Sequence, residues 1–134
     1  MADLIQREET PVMFVRAVDE PDAIRRAWER LEAQIGAPRG RKFFGSFDAA
    51  TSEYRACVEV QEHDDPSGLG LESGTLPGGK YLRARLRGEP PEVYEQIGPT
   101  FAALAKASVP DATRPSIEFY RRRDEIDLFL PVSS

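Results

Sequence analysis

Hydrophobic and polar positions alternate along "TPVMFVRAV" (10–18), which predicts a strand. From Pro21 the period changes. Ile24, Ala27, Trp28, Leu31 and Ile35 recur at three- and four-residue spacing and predict a helix over 21–36, with Pro21 at its start and Gly36 just past its end as ordinary punctuation. "RKFFGSFD" (41–48) and "SEYRACVEV" (52–60) return to alternation and read as a hairpin, followed by a Gly-, Asp- and Ser-rich connection, "EHDDPSGLGLESG" (62–74). The order then restarts with a strand at "KYLRARLR" (80–87) and a helical stretch at "EPPEVYEQIGPTFAALAKA" (89–107). A second hairpin follows at "PSIEFYRRRDEIDLFLPV" (115–132). Gly98 and Pro99 kink or split that helix, because proline has no N–H to donate.

A shift of 72 residues lays 45–60 on 117–132 without a gap and matches Phe47 with Phe119, Glu53 with Glu125 and Val60 with Val132. A shift of 67 matches Phe14 with Tyr81 and Arg16 with Arg83 in the first strands. Order and phase recur more than identity does. The expectation is one domain, 1–134, of the α+β class, built from two β-α-β-β units at 10–61 and 76–132. Its six strands form one antiparallel-rich sheet, with two helices on one face.

In an antiparallel hairpin with an even-length turn, opposed residues share a face. With Arg122 and Arg123 at the turn, Glu118 opposes Asp127 and Phe119 opposes Ile126. Ile117, Phe119, Ile126, Leu128 and Leu130 then face the helices, and Glu118, Tyr120, Asp127 and Phe129 face away from them. Two like charges about 5 Å apart at Cβ destabilise a sheet and call for a cation or a shared proton. The same phase puts Phe14, Arg16, Phe44, Ser46, Arg55, Tyr81 and Arg83 on the face away from the helices. Two readings stay open. Either the arginines neutralise the carboxylates internally, or Glu118, Tyr120, Asp127, Phe129, Tyr81, Phe14, Phe44 and Arg83 line a cleft for a flat, often cationic organic molecule.

Composition narrows the partners. With 40% hydrophobic and 31% charged residues the chain is in the globular range, and a net charge of −5 disfavours generic attraction to nucleic acid. One cysteine, Cys57, excludes an intrachain disulfide and multi-cysteine zinc sites. The N-terminal stretch has no apolar core of a signal peptide, and no run approaches a membrane span, which together imply a cytoplasmic protein without membrane partners.

The sequence "PGGKYLRARLRG" opening the second half, the helix start "PEVYEQI" and the ending "RPSIEFY…DEIDLFLPV" resemble GyrI-like domains, the effector-binding domains of bacterial multidrug-sensing regulators. The likeness spans nearly the whole chain, and the order of the motifs is more specific than any one of them. It implies an SHS2-type duplicated fold with one curved sheet and a central ligand cleft. It also implies binding of hydrophobic, frequently cationic aromatic compounds without a cofactor, an acidic contact carried by Glu118, and aromatic walls at Tyr120 and Tyr81. Asp127 enters from hairpin geometry alone. Stand-alone relatives include gyrase-protecting proteins, which makes gyrase or a regulator an alternative partner. They also include hydrolases of cyclopropane-containing genotoxic compounds, in which Glu118 would be a general base and Tyr120 or Tyr81 an orienting or proton-donating partner. Whether this chain is an enzyme is left open by the sequence.

Other signals point to structure. "GTLPGGK" (74–80) has the spacing of a phosphate-binding loop, but Tyr81 stands where a magnesium-binding hydroxyl belongs and a strand follows. His63 beside Asp64 and Asp65 reads as a solvated turn rather than a metal site. Cys57, opposite Phe44, reads as a packed thiol, Trp28 as core, and Arg121 to Arg123 as a charged hairpin tip rather than a DNA or gyrase contact.

Overall fold

The computed structural model describes residues 2–36 and 39–133 of the 134-residue chain. In chain order the elements are β1 (Asp3–Arg7), β2 (Thr10–Val18), α1 (Pro21–Ile35), β3 (Phe43–Asp48), β4 (Glu53–Glu59) and β5 (Glu72–Leu76). They continue with β6 (Gly79–Arg87), α2 (Glu92–Glu95), α3 (Ile97–Lys106), β7 (Ser116–Arg122) and β8 (Glu125–Pro131). The strands form one antiparallel sheet in the order β1-β6-β8-β7-β3-β4-β2-β5. The order is symmetric about the β7–β3 junction, where the two hairpins meet, as a duplicated α+β fold requires.

The sheet has eight strands rather than six. β1 lies in a stretch too short and polar to announce itself, and β5 in a segment whose Gly and Ser suggested a loop. Each is exchanged between the halves. β1 runs into β2 but pairs with β6, and β5 runs into β6 but pairs with β2. The two-residue links Glu8–Glu9 and Pro77–Gly78 each span at most roughly 11 Å, so they draw opposite ends of the sheet together at one rim. Gly78 is needed there, because a Cβ on it would lie 2.9 Å from the Arg7 carbonyl oxygen and 3.0 Å from the Glu9 nitrogen.

Curling encloses the sheet face that carries no helix. Val12, Phe14, Phe44, Cys57, Leu76, Tyr81, Ile117 and Phe129 form a buried core inside the half-barrel. The Arg7 guanidinium reaches from edge strand β1 over the rings of Phe129 and Phe44, 4.5 and 5.7 Å from their centroids. On the outer face α1 packs on β2 and β4, burying Ala27 and Leu31 against Met13, Tyr54, Ala56 and Val58. α3 packs on β8 and β6, placing Leu104 and Phe101 against Leu130 and Val132. The predicted split in the second helix falls at Gln96. Pro99 lies in the first turn of α3, where a missing N–H leaves no helix bond unmade.

The second hairpin departs from the predicted register by one residue. Glu118 opposes Leu128, Phe119 opposes Asp127 and Tyr120 opposes Ile126, and a bulge at Arg121 precedes the Arg122–Glu125 pair. A one-residue slip moves every side chain of a strand to the other face. Ile117 and Phe119 therefore belong to the half-barrel interior, not to the helix side, whereas Ile126, Leu128 and Leu130 are helix-side as expected, in the cores that also hold Val15, Leu31, Val58, Leu82 and Phe101. Glu118 and Asp127 are not cross-strand neighbours and lie on opposite faces.

Candidate functional site

Because α1 covers β2 and β4 while α3 covers β6 and β8, the central strands β3 and β7 lie between the two helix-side cores. Gly45 of β3 sits directly opposite Glu118 of β7 at the middle of this strip. The two positions are equivalent in the two halves, each being the helix-facing residue at the centre of its strand. Only one side chain fits. A Cβ on Gly45 would overlap the Tyr54 hydroxyl and come within 2.6 Å of Glu118 Oε1.

Glu118 Oε1 accepts hydrogen bonds from the Tyr120 hydroxyl at 2.5 Å and the Tyr54 hydroxyl at 3.1 Å. Tyr54 in turn accepts from Trp28 Nε1 at 3.2 Å. Among the described residues no donor reaches Glu118 Oε2. The rings of Trp28 and Tyr120 meet edge-to-face at 5.4 Å, and Tyr94 of α2, half-exposed, meets Tyr120 at 6.4 Å. The side chains around the carboxylate are aromatic.

Burial dominates the electrostatics. It pushes the Glu118 carboxyl above the usual glutamate range, against the two tyrosine hydrogen bonds that favour the charged form, while Asp19 adds a small upward push. Tyr54 and Tyr120 are held well above the ordinary phenol range, first by burial and then by the charge of Glu118, so both remain proton donors at neutral pH. No guanidinium or ammonium group pairs with Glu118 among the described residues.

Of the eight residues predicted to line a cleft, only Glu118 and Tyr120 stand here. Phe14, Phe44, Tyr81 and Phe129 fill the half-barrel interior and are at most 3% exposed. Asp127, also interior, accepts from Arg85 Nε at 2.7 Å and Nη2 at 3.2 Å, so its charge is neutralised within the protein. Arg83 pairs with Asp3 at 2.9 Å on the same face. Asp127 is paired internally, but by Arg85, whereas the arginines expected to neutralise the two carboxylates pair elsewhere, Arg16 with Glu53 and Glu72, Arg55 with Glu53 and Arg83 with Asp3. Glu118 has no such partner among the described residues. Trp28 reads as core, and Tyr54, Gly45 and Tyr94 carried no signal for this site, because a neighbour of Glu118 becomes visible only with the correct register.

"GTLPGGK" is the end of β5, its link and the start of β6. The turn expected to be solvated at His63–Asp65 is not wholly so, because the Asp64 side chain is buried. It forms an ion pair with Arg41, with contacts of 2.6 and 2.7 Å. The Cys57 thiol is pushed up to about 12 by burial. Among the described residues no group of three metal-ligating side chains occurs, and no helix is long and apolar enough to cross a membrane.

No family model matches the chain, and no curated protein matches it by sequence. Solved structures do match. An integron cassette protein from the mobile metagenome of Vibrio cholerae superposes with a TM-score of 0.79 at 18% identity, over 98% of this chain and 95% of that one. SAV2435 bound to tetraphenylphosphonium gives 0.71 at 13% identity, over 100% and 94%. A hydrolase from Listeria innocua gives 0.59 at 13% identity, over 98% and 91%. At such identities the likeness establishes a shared fold.

Proposed function

We propose that this protein binds small hydrophobic or aromatic organic cations in the strip between α1 and α3, in the manner of a GyrI-like effector-binding domain that senses or sequesters drugs. The observation that carries the reading is the Glu118 carboxylate, held through Oε1 by two tyrosines, without a donor at Oε2 and unpaired by any cation among the described residues. A charge kept in a desolvated place without a partner costs stability, and a cationic ligand is the partner that would offset that cost. Trp28, Tyr120 and Tyr94 offer ring faces and edges for an aromatic cation. The arginines do not oppose this, since they lie on the other face of the sheet. The fold shared with a protein solved with tetraphenylphosphonium supports the same ligand class.

Trp28 is the single tryptophan of the chain and stands at the site, so its fluorescence reports occupancy. Titration with tetraphenylphosphonium and with a neutral compound of similar shape should quench it, with the cation the tighter ligand. Equal affinity for the two would remove Glu118 from recognition.

A second reading rests on the 2.5 Å Tyr120–Glu118 hydrogen bond. A carboxylate poised upward by burial beside a phenol donor is a general base with an acid next to it, the pairing that water attack on a strained ring would use. The fold shared with a Listeria innocua hydrolase is compatible with it. Turnover of cyclopropane-containing compounds by the purified protein, lost in Glu118→Gln, separates catalysis from capture.

A further inference from the structure

The bulge that moves Glu118 to the helix side also gathers charge on the opposite face. Arg121 lies 3.5 Å from Glu125 and 3.7 Å from Asp127, and Arg122 opposes Glu125, so two successive arginines stand over the inner face where regular alternation would leave one. Arg85 and Arg87 of β6 oppose Asp127 and Glu125 on that same face. These four arginines, with Asp124 and Glu125, line a depression of about 430 Å³, within the roughly 300–1,000 Å³ of small-molecule sites.

The carboxylates do not saturate the guanidiniums. Arg85 is engaged by Asp127 through two hydrogen bonds, and Arg87 by Glu125 through one of 3.1 Å. Arg121 has two longer carboxylate contacts and lies 5.9 Å from the Phe119 ring centroid, and Arg122 has neither hydrogen bond nor ion pair among the described residues. Two guanidinium forks therefore remain available above a floor fixed by the Arg85–Asp127 pair, whose carboxylate is 2% exposed. We propose that this depression binds a small phosphorylated molecule, its phosphate held by Arg121 and Arg122. Two adjacent forks match the several oxygens and double charge of a phosphate, whereas a single carboxylate would leave one fork idle. A small ligand is favoured over a nucleic-acid backbone, because Asp124 and Glu125 at the rim and a net charge of −5 repel an extended polyanion.

Calorimetric titration of the full chain with inorganic pyrophosphate and with a short DNA duplex tests this, beside melting curves of each variant. Pyrophosphate is expected to bind, and a variant carrying both Arg121→Gln and Arg122→Gln to bind at least about tenfold more weakly. The melting temperature of that variant without ligand should change little, since both side chains are exposed. Arg122→Gln alone breaks no ion pair and should lose part of the affinity. Absence of heat and of thermal shift with millimolar pyrophosphate overturns the proposal, as does unchanged affinity in the double variant. Binding of the duplex but not of pyrophosphate, or a lowered melting temperature with intact pyrophosphate affinity, overturns it as well.

Discussion

Glu118 is a carboxylate whose surroundings disfavour its own charge, and this makes its pH behaviour diagnostic. Its folded-state pKa lies above the unfolded value because of burial. Ionising it therefore costs stability, and the loss begins as pH rises through the ordinary glutamate range and is complete above the raised value. Glu118→Gln should melt higher than the parent at neutral pH, with the gain vanishing below the ordinary glutamate pKa. Cation affinity should fall at least about tenfold in the same variant, since a partly desolvated ion pair is worth more than ~1.4 kcal/mol. In the parent, cation affinity should decline with acidification at a higher pH than a solvent-exposed glutamate would give. Lower stability with intact binding would show Glu118 to be purely structural. Gly45→Ala tests the same site from across the sheet. Its methyl group must displace Tyr54 or the carboxylate, at a cost of about 1–3 kcal/mol for overpacking, and tetraphenylphosphonium titration should show weakened capture.

At the scale of elements, the helix periodicity of α1, the strand alternation of β2, β3, β4, β6 and β8 and the restart of the order were legible, because each buries a face whose period its sequence repeats. The face of β7 was not. In "SIEFY" both faces end up at least partly buried, Ile117 and Phe119 inside the half-barrel and Glu118 and Tyr120 in the strip between α1 and α3, so alternation alone does not choose between the registers. The choice is made by one bulged residue at Arg121, and three arginines in a row do not mark which of them bulges. The carboxylate and its tyrosine were thus singled out by type as candidates, but were assigned the wrong neighbours. The separation of faces can be measured. Phe44→Ala empties an interior aromatic site and should cost about 3–5 kcal/mol in chemical denaturation while leaving cation affinity unchanged. The loop between β4 and β5 carries its own signature. Arg41 holds the Asp64 carboxyl down to about 2, so this pair stabilises the fold above the ordinary aspartate range and the contribution is lost as pH falls from about 4 to about 2. Asp64→Asn should flatten that acid limb and destabilise the protein by about 3–5 kcal/mol near neutrality.

The whole molecule is tied together by exchange. β1 leaves its own half to pair with β6, β5 leaves its half to pair with β2, and the hairpins meet only at β3–β7. Divided in the loop between Asp65 and Gly70, each half would keep one strand whose partner lies in the other half and would expose the interior face that the curl encloses. Each piece would also be about the size at which a single core becomes marginal. Neither fragment, 1–67 or 68–134, should fold cooperatively alone. Mixed in equal amounts they should regain the sheet, and with it the Trp28 fluorescence response to tetraphenylphosphonium, because Trp28 and Tyr54 come from the first fragment and Glu118, Tyr120 and Tyr94 from the second. Circular dichroism and fluorescence on the separate and mixed fragments measure both effects. A sharp unfolding transition in either fragment alone would show that the halves are independent units, and that strand exchange is not what makes the site depend on both.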